Sequence, residues 1–487
     1  MVGEDFGPPY NSLVSIYKHL SAHPAQWKLL YNVSNSRGFE MLADAHFKLM
    51  FERSIRRRIR RYNPDVVVSV HPMMTNVPVL SCEKISNETG RHLPMFTVVT
   101  DLGSAHCLWF ANGVEKMFVG SEQVRALAVA RGKVPDEKLR LVGLPIRHDF
   151  ALQAEKLGDR MSPAGQAYQS QVRAALGLPH TDRPTILCMG GGEGVGSLER
   201  IVDALYVELV SQGIDALVLV VCGRNEKLKH ALATRNWQDV FQTWSNAKAR
   251  YGIGKPVMMD VCGTSISASS AGCIQGSTVT GSIRRMLSSG TLNVGNMISL
   301  PTAEEQEEEQ QKENAPEEKK EDRKAAMDPL NNAILETSSI ALADSLEGKM
   351  PGNVTVLGLG FVSNMAEYMV AADVLVTKAG PGTISEAAAL SLPVMLTSFL
   401  PGQEEGNIDF VIEGNFGAYV NVSDPIGIAE EVCMWLSDDE RRAKLSRAAK
   451  AKGAPYAARD IAQEIGDSAM RWKELNHQKD LAVAALS

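Results

Sequence analysis

Residues 373–387, DVLVTKAGPGTISEA, decide the fold. The apolar run Val374-Leu375-Val376 breaks into Gly380-Pro381-Gly382 and passes into a helix-forming run of Ser, Glu and Ala. A β-strand that delivers a glycine loop to a helix N-terminus gathers unpaired N–H groups and the positive end of the helix dipole at one point, a place for anions such as phosphate. Lys378, Gly380, Gly382 and Thr383 lie at that point. Glu386 follows about one helical turn on, where a carboxylate can accept from a ribose diol. The competing reading is a tight β–α turn whose glycines only satisfy backbone geometry.

Further back, residues 185–196, TILCMGGGEGVG, repeat the pattern. A buried strand, Ile186-Leu187-Cys188-Met189, runs into Gly190, Gly191, Gly192, Glu193, Gly194 and Gly196, and a helical pattern begins near Leu198. The spacing is neither G-x-G-x-x-G nor G-x-x-x-x-G-K-[ST]. What it shares with both is that no side chain keeps a diphosphate from the amides.

A chain of 487 residues is too long for one core and implies two domains with something extra. Its 44% hydrophobic and 22% charged content is ordinary for a globular protein, and a net charge of −7 gives no sign of a nucleic-acid binder. The seven Cys form no C-x-x-C pair, so neither a zinc site nor a disulfide framework is indicated, and a reducing compartment fits. MVGEDFGPPY reads as neither a signal peptide nor an Arg-rich transit peptide. No apolar run approaches the roughly 18 residues that span a bilayer, so a lipid would be handled from the membrane surface.

In chain order, residues 10–62 read as helices, and 47–61 carry Arg53, Arg56, Arg57, Arg58, Arg60 and Arg61. These cations suit either a solvated helix C-terminus or an anionic membrane. The strands at 65–70 and 95–100 end in His71 and in Asp101, His106 and Trp109. Polar residues at the carboxyl ends of parallel strands either line a cleft or serve as hydrogen-bonded structural groups. Strands at 116–119 and 139–142 lead to Arg147, placed to fork onto a phosphate or to form a surface salt bridge. Residues 151–183 read as a linker with a connecting helix. A second strand–helix alternation then brings Arg224 after strand 216–221, Phe361 and Val362 after strand 354–357, and Gln403, Glu404 and Asn407 after 393–396. Between them, 253–350 is Ser/Gly/Thr-rich and then charge-dense, and reads as a disordered insertion. Asp424 before Pro425 and Ser437 with Glu440 read as helix caps.

TDLGSAHCLWF (100–110), GLPIRHDF (143–150), MGGGEGVG (189–196), CGRNEKLK (222–229), TKAGPGTISEA (377–387) and PGQEEGN (401–407) together resemble the monogalactosyldiacylglycerol synthases, relatives of the bacterial transferases that glycosylate a lipid-linked peptidoglycan precursor. The resemblance implies a GT-B fold. Two Rossmann-like α/β domains face across a cleft: 1–165 on the acceptor and membrane side, 166–435 holding UDP-sugar, and 436–487 as helices crossing back. It implies that Gly190 to Gly196 and Gly380 to Thr383 hold the diphosphate and Glu386 the ribose. Phe361 and Val362 would flank the uracil, Gln403, Glu404 and Asn407 would read the galactose, and His71, Asp101, His106 and Trp109 would line the acceptor side, Trp109 against lipid. Arg147 or Lys378 would meet developing charge, and Arg224 is a further substrate-binding candidate.

The implied reaction is inverting transfer of galactose from UDP-galactose to the sn-3 hydroxyl of 1,2-diacylglycerol, with no metal or cofactor, at the plastid envelope and peripheral to an anionic membrane. The family opens with a strand and a GGGH loop whose His is the expected base. The sequence in hand starts after that point, which leaves Asp101 or His106 as substitutes. A paralogue that binds UDP-sugar or lipid without turnover is the alternative, and a nicotinamide oxidoreductase is disfavoured because G-x-G-x-x-G is absent.

Overall fold

Residues 16, 19–20, 23–190, 197–251 and 351–486 are described in a computed structural model of the chain. The loop positions Gly191, Gly192, Glu193, Gly194 and Gly196 and the expected insertion 253–350 lie outside the described residues. Helices α1 (Pro24–Ser34) and α2 (Arg37–Tyr62) lead into β1 (Val67–Ser69), α3 (Asn76–Thr89), β2 (Met95–Val98), β3 (Lys116–Val119), α4 (Glu122–Ala130) and β4 (Leu139–Leu141). These strands make a four-stranded parallel sheet in the order β1-β2-β3-β4, with Val67 opposite Met95, Phe96 opposite Lys116 and Met117 opposite Leu139.

After α5 (His148–Leu157) and α6 (Pro163–Ala175), the second alternation runs β5 (Thr185–Met189), α7 (Ser197–Gln212), β6 (Ala216–Val221), α8 (Glu226–Ala233) and α9 (Trp237–Tyr251). It resumes with β7 (Val354–Leu359), α10 (Met365–Ala371), β8 (Val374–Thr377), α11 (Pro381–Ala389), β9 (Val394–Leu396), α12 (Glu405–Glu413) and β10 (Gly417–Tyr419). Helices α13 (Pro425–Ser437), α14 (Asp439–Lys452) and α15 (Ala457–Leu486) close the chain. The second sheet is six-stranded and parallel, in the order β10-β9-β8-β5-β6-β7. The chain winds out from β5 to β7 and returns to β8 beside β5. This is the doubly wound order of nucleotide-binding sheets, reversing at the β5–β8 pair. Two Rossmann-like α/β halves form the GT-B architecture.

The strands formed where uninterrupted apolar runs predict them, because a parallel sheet covered on both faces buries every position. Ile186, Leu187, Cys188, Leu217, Val218, Leu219, Val374 and Leu375 are all fully buried. Two readings change. The stretch 151–183 is no linker: Leu157 of α5, Val172 of α6 and Leu176 just after it enter the same core as Leu187 and Leu375. Arg160 is fully buried there, with Nε donating to Leu390 O at 2.9 Å and Nη2 to Met369 O at 2.9 Å, and Nη1 also serving Val370 and Ala372. Arg173 forks between Ala371 O (2.8 Å) and Asp373 Oδ2 (2.7 Å). The expected Ser437 cap is replaced by Asp438, whose carboxylate accepts from Arg441 N at 2.9 Å, whereas Asp424 caps α13 as read.

Helix α15 returns to the four-stranded sheet. Ile461 joins a core with Phe96, Val98 and Phe118. Asn476 exchanges two 2.8 Å hydrogen bonds with the His92 backbone, and Trp472 Nε1 donates to Glu115 at 3.0 Å.

Candidate active site

Because every strand pair is parallel, the carboxyl ends of β5, β6, β7, β8 and β9 lie at one edge, and Gly190 and the glycine loop at 380 follow the two strands that flank the reversal, where doubly wound sheets bind ligands. Gly380 is the N-cap of α11 with φ −74°, Pro381 follows, and no side chain caps the helix. Neither Gly380 nor Gly382 has the positive φ that demands glycine, and a Cβ on Gly382 would meet nothing within 4 Å. The tight-turn reading therefore loses its physical basis at these positions, and what the missing side chains leave is open access to the first amides of the helix.

The polar groups around those amides interlock. Lys378 Nζ donates to Glu404 Oε1 at 2.7 Å, and the buried Glu404 carboxylate takes Leu400 N on its other oxygen at 2.8 Å. Asn407 Nδ2 donates to Ala379 O at 2.9 Å, tying the 401–407 loop to the glycine loop, while its buried Oδ1 has no partner among the described residues. Gln403 is half-buried, Arg224 is exposed, and Phe361 stands 74% exposed beyond β7 with Val362 half-buried beside it. Gly190 is exposed at the end of β5.

The four-stranded sheet presents its own carboxyl ends to this edge. Arg147, beyond β4, reaches across to α11 and forks onto Glu386, Nε to Oε1 at 2.9 Å and Nη2 to Oε2 at 3.1 Å. The salt-bridge reading of Arg147 is thus met, with the very carboxylate expected to hold ribose. Ser104 Oγ accepts from Gly406 N at 2.7 Å, and the backbones of Gly103 and Gly406 approach so closely that a Cβ on either would strike the other.

Asp101 sits beside this junction. Its Oδ2 accepts from Trp109 Nε1 at 2.6 Å, and Oδ1 meets no hydrogen-bond donor among the described residues. Burial pushes its carboxyl up to about 6, and the negative charge of Glu404 adds to the rise against the Trp109 hydrogen bond. A carboxylate of that basicity, oriented on one side and free on the other, is suited to take a proton near neutral pH.

Two acceptor-side expectations are corrected. Trp109 does not face lipid: it is 1% exposed, and a buried indole N–H needs an acceptor, which Asp101 supplies. His106 cannot take up a proton where it stands. Its Nδ1 accepts from Leu108 N at 3.2 Å, and its Nε2 lies 3.2 Å from Ser34 Oγ, which itself donates to Tyr31 O. The ring therefore spends one nitrogen accepting and the other donating. Burial, helped by Arg131, holds its pKa down to about 4. His71 caps a short turn through Nδ1 and Met73 N at 3.3 Å, and burial lowers its pKa.

The family model described as monogalactosyldiacylglycerol (MGDG) synthase matches residues 7–146, and the glycosyltransferase family 28 C-terminal domain matches residues 332–407. Probable monogalactosyldiacylglycerol synthase 2, chloroplastic, of Oryza sativa subsp. indica is 26% identical over 473 residues, spanning 95% of this chain and 72% of that protein. The chain is a homologue of the monogalactosyldiacylglycerol synthases. Monogalactosyldiacylglycerol synthase 3, chloroplastic, of Arabidopsis thaliana is 24% identical over 466 residues, 94% of this chain and 71% of that synthase. Among solved structures, Acinetobacter baumannii MurG overlays with a TM-score of 0.46 at 10% identity, covering 87% of this chain and 80% of that one. The MGDG synthase match falls on the half with Asp101 and its loop, and the glycosyltransferase match spans the glycine loop at 380 and Glu404.

Proposed function

We propose that the chain transfers galactose from UDP-galactose to the sn-3 hydroxyl of 1,2-diacylglycerol, inverting the anomeric centre. The observation that carries this reading is the meeting of the two sheet edges, which brings an oriented, basic carboxylate at Asp101 beside the Lys378–Glu404 pair and the uncapped N-terminus of α11. The diphosphate lies on the amides around Gly382 and Thr383 and on the Gly190 side, its growing charge met by the helix terminus and Lys378. Glu386, held by Arg147, accepts from the ribose hydroxyls, and Phe361 with Val362 covers the base. Gln403, Glu404 and Asn407 face the hexose, where Asn407 Oδ1 offers an acceptor without a partner among the described residues. Asp101 takes the proton of the attacking hydroxyl on the face opposite UDP.

Lipid reaches the site from a surface that carries apolar and basic groups together. Leu29, Leu30 and Val33 on α1 and Phe39, Leu42 and Leu49 on α2 are exposed. Leu42, Leu49, Arg53 and Arg57 follow one helical stripe, and Arg53, Arg57 and Arg61 are exposed with no partner among the described residues. This combination fits an anionic bilayer surface, and among the described residues no helix is long and apolar enough to cross a membrane. By likeness to its chloroplastic relatives, the chain works peripherally at a plastid envelope. The test is incubation with radiolabelled UDP-galactose and diacylglycerol vesicles. Labelled monogalactosyl lipid is the expected product; a chain that binds UDP yet yields no labelled lipid refutes the proposal.

A further inference from the structure

The loop expected to read the hexose is anchored at both ends within its own half, by Leu400 N on Glu404 and by Asn407 on Ala379 O. Its middle rests on the other half. Gly402 has φ +82°, and a Cβ there would lie 2.7 Å from Tyr31 Cδ1 and 3.2 Å from Cγ, so the loop lies directly against the Tyr31 ring. Tyr31 belongs to α1, is 8% exposed, and donates its hydroxyl to Ser104 O at 2.6 Å. Ser104 in turn accepts Gly406 N on Oγ at 2.7 Å. The Tyr31 ring is fixed from behind by an edge-on contact with His106, centroids 5.4 Å apart, and His106 is held by Ser34 three residues along the same helix. Burial, with the charge of Asp101 adding, raises the phenol well above its ordinary value, so it stays a hydrogen-bond donor throughout any assay range.

We propose that Tyr31 and Ser104 are positioning residues for the hexose-reading loop: the acceptor half, through these two side chains, sets where Gln403 and Glu404 meet the sugar. The inference rests on the glycosyltransferase reading above and adds to it that sugar selection is shared between halves. Gly402 and Gly406, the two points of contact, bracket Gln403 and Glu404, so a small shift at either moves the hydroxyl-binding groups without touching the phosphate amides or Glu386. The effect is therefore expected on the sugar and not on the nucleotide.

The experiment compares wild type with Tyr31→Phe, which removes only the hydroxyl, and Ser104→Ala, which removes the acceptor of Gly406 N. Each is measured for the KM of UDP-galactose, for the ratio of UDP-galactose to UDP-glucose use, and for inhibition by UDP alone. Loss of one hydrogen bond is expected to raise the UDP-galactose KM about three- to tenfold and to lower the galactose-to-glucose ratio, with UDP inhibition changed by less than about twofold. An unchanged KM and sugar ratio in both variants overturns the inference. So does an equal weakening of UDP and UDP-galactose with a lowered melting temperature, which marks the pair as structural. Failure of UDP to bind even the wild type is the distinct result that removes the underlying functional reading.

Discussion

The two sheets solve the same folding problem by different means. The six-stranded sheet is sealed, its central strands buried at all but their last positions and one side extended by three-residue β9 and β10. The four-stranded sheet is left partly open. Val68 and Val70 on its edge are exposed, and α2, 26 residues long, buries only Ala43 and Glu52. Apolar surface that is not used to hold a fold is available for contact, and on this half it faces outward with arginines beside it. The comparison teaches that one half is sealed around its core while the other leaves apolar and basic surface uncovered, which is the division of labour the proposed function requires.

The largest expected effect breaks this division most directly. Asp101→Asn should lower kcat by about 100- to 10,000-fold, the usual contribution of a general base. It should also stabilise the protein. The folded carboxyl sits at about 6 against an ordinary 3.8, so its stabilising contribution is full below pH 3.8 and is lost as pH rises to 6. Removing the charge relieves roughly 1–3 kcal/mol near pH 7, visible as a higher melting temperature. In the wild type, kcat/KM should rise with pH through an inflection near 6; a flat profile there would exclude Asp101 as base.

The reverse behaviour is expected in the sealed half. Arg160→Met should cost roughly 3–5 kcal/mol of stability, because several buried carbonyls each lose their donor at about 1–3 kcal/mol. Thermal unfolding checks this, and the UDP affinity of whatever remains folded should be near normal. Glu386→Ala, at the seam, should weaken UDP binding by about 1–3 kcal/mol in a calorimetric titration with little change in melting temperature. Smallest of all, Arg57→Ala should weaken binding to anionic vesicles by about 1 kcal/mol, with the difference fading at high salt. Equal binding to neutral vesicles would show that the arginines do not take part.

Much of this was legible in the sequence because parallel strands announce themselves as continuous apolar runs and their sites gather at the carboxyl ends. β10 escaped notice because Gly417-Ala418-Tyr419 has no such run. There glycine is required by close approach, since a Cβ would strike Val394 O. The polar stretch 151–183 misled because Arg160 and Arg173 are buried by hydrogen bonding, which composition does not reveal. Asp101 after a strand and Glu386 within a helix stand at the positions that the sequence pattern gives them. Tyr31 and Ser104 were not legible as a pair, for their bond spans 73 residues and ends on a backbone oxygen. Nor can an aromatic-rich motif tell which side of a loop its Trp occupies, and so Trp109 was assigned outward.

Helix α15 gives the chain an unusual order of completion. Ile461 fills the core behind Phe96 and Phe118, and Asn476 satisfies the backbone of His92, a partner 384 residues earlier. On the ribosome, the first sheet can therefore be laid down early, yet the patch of it that Ile461 covers stays open until α15 is made.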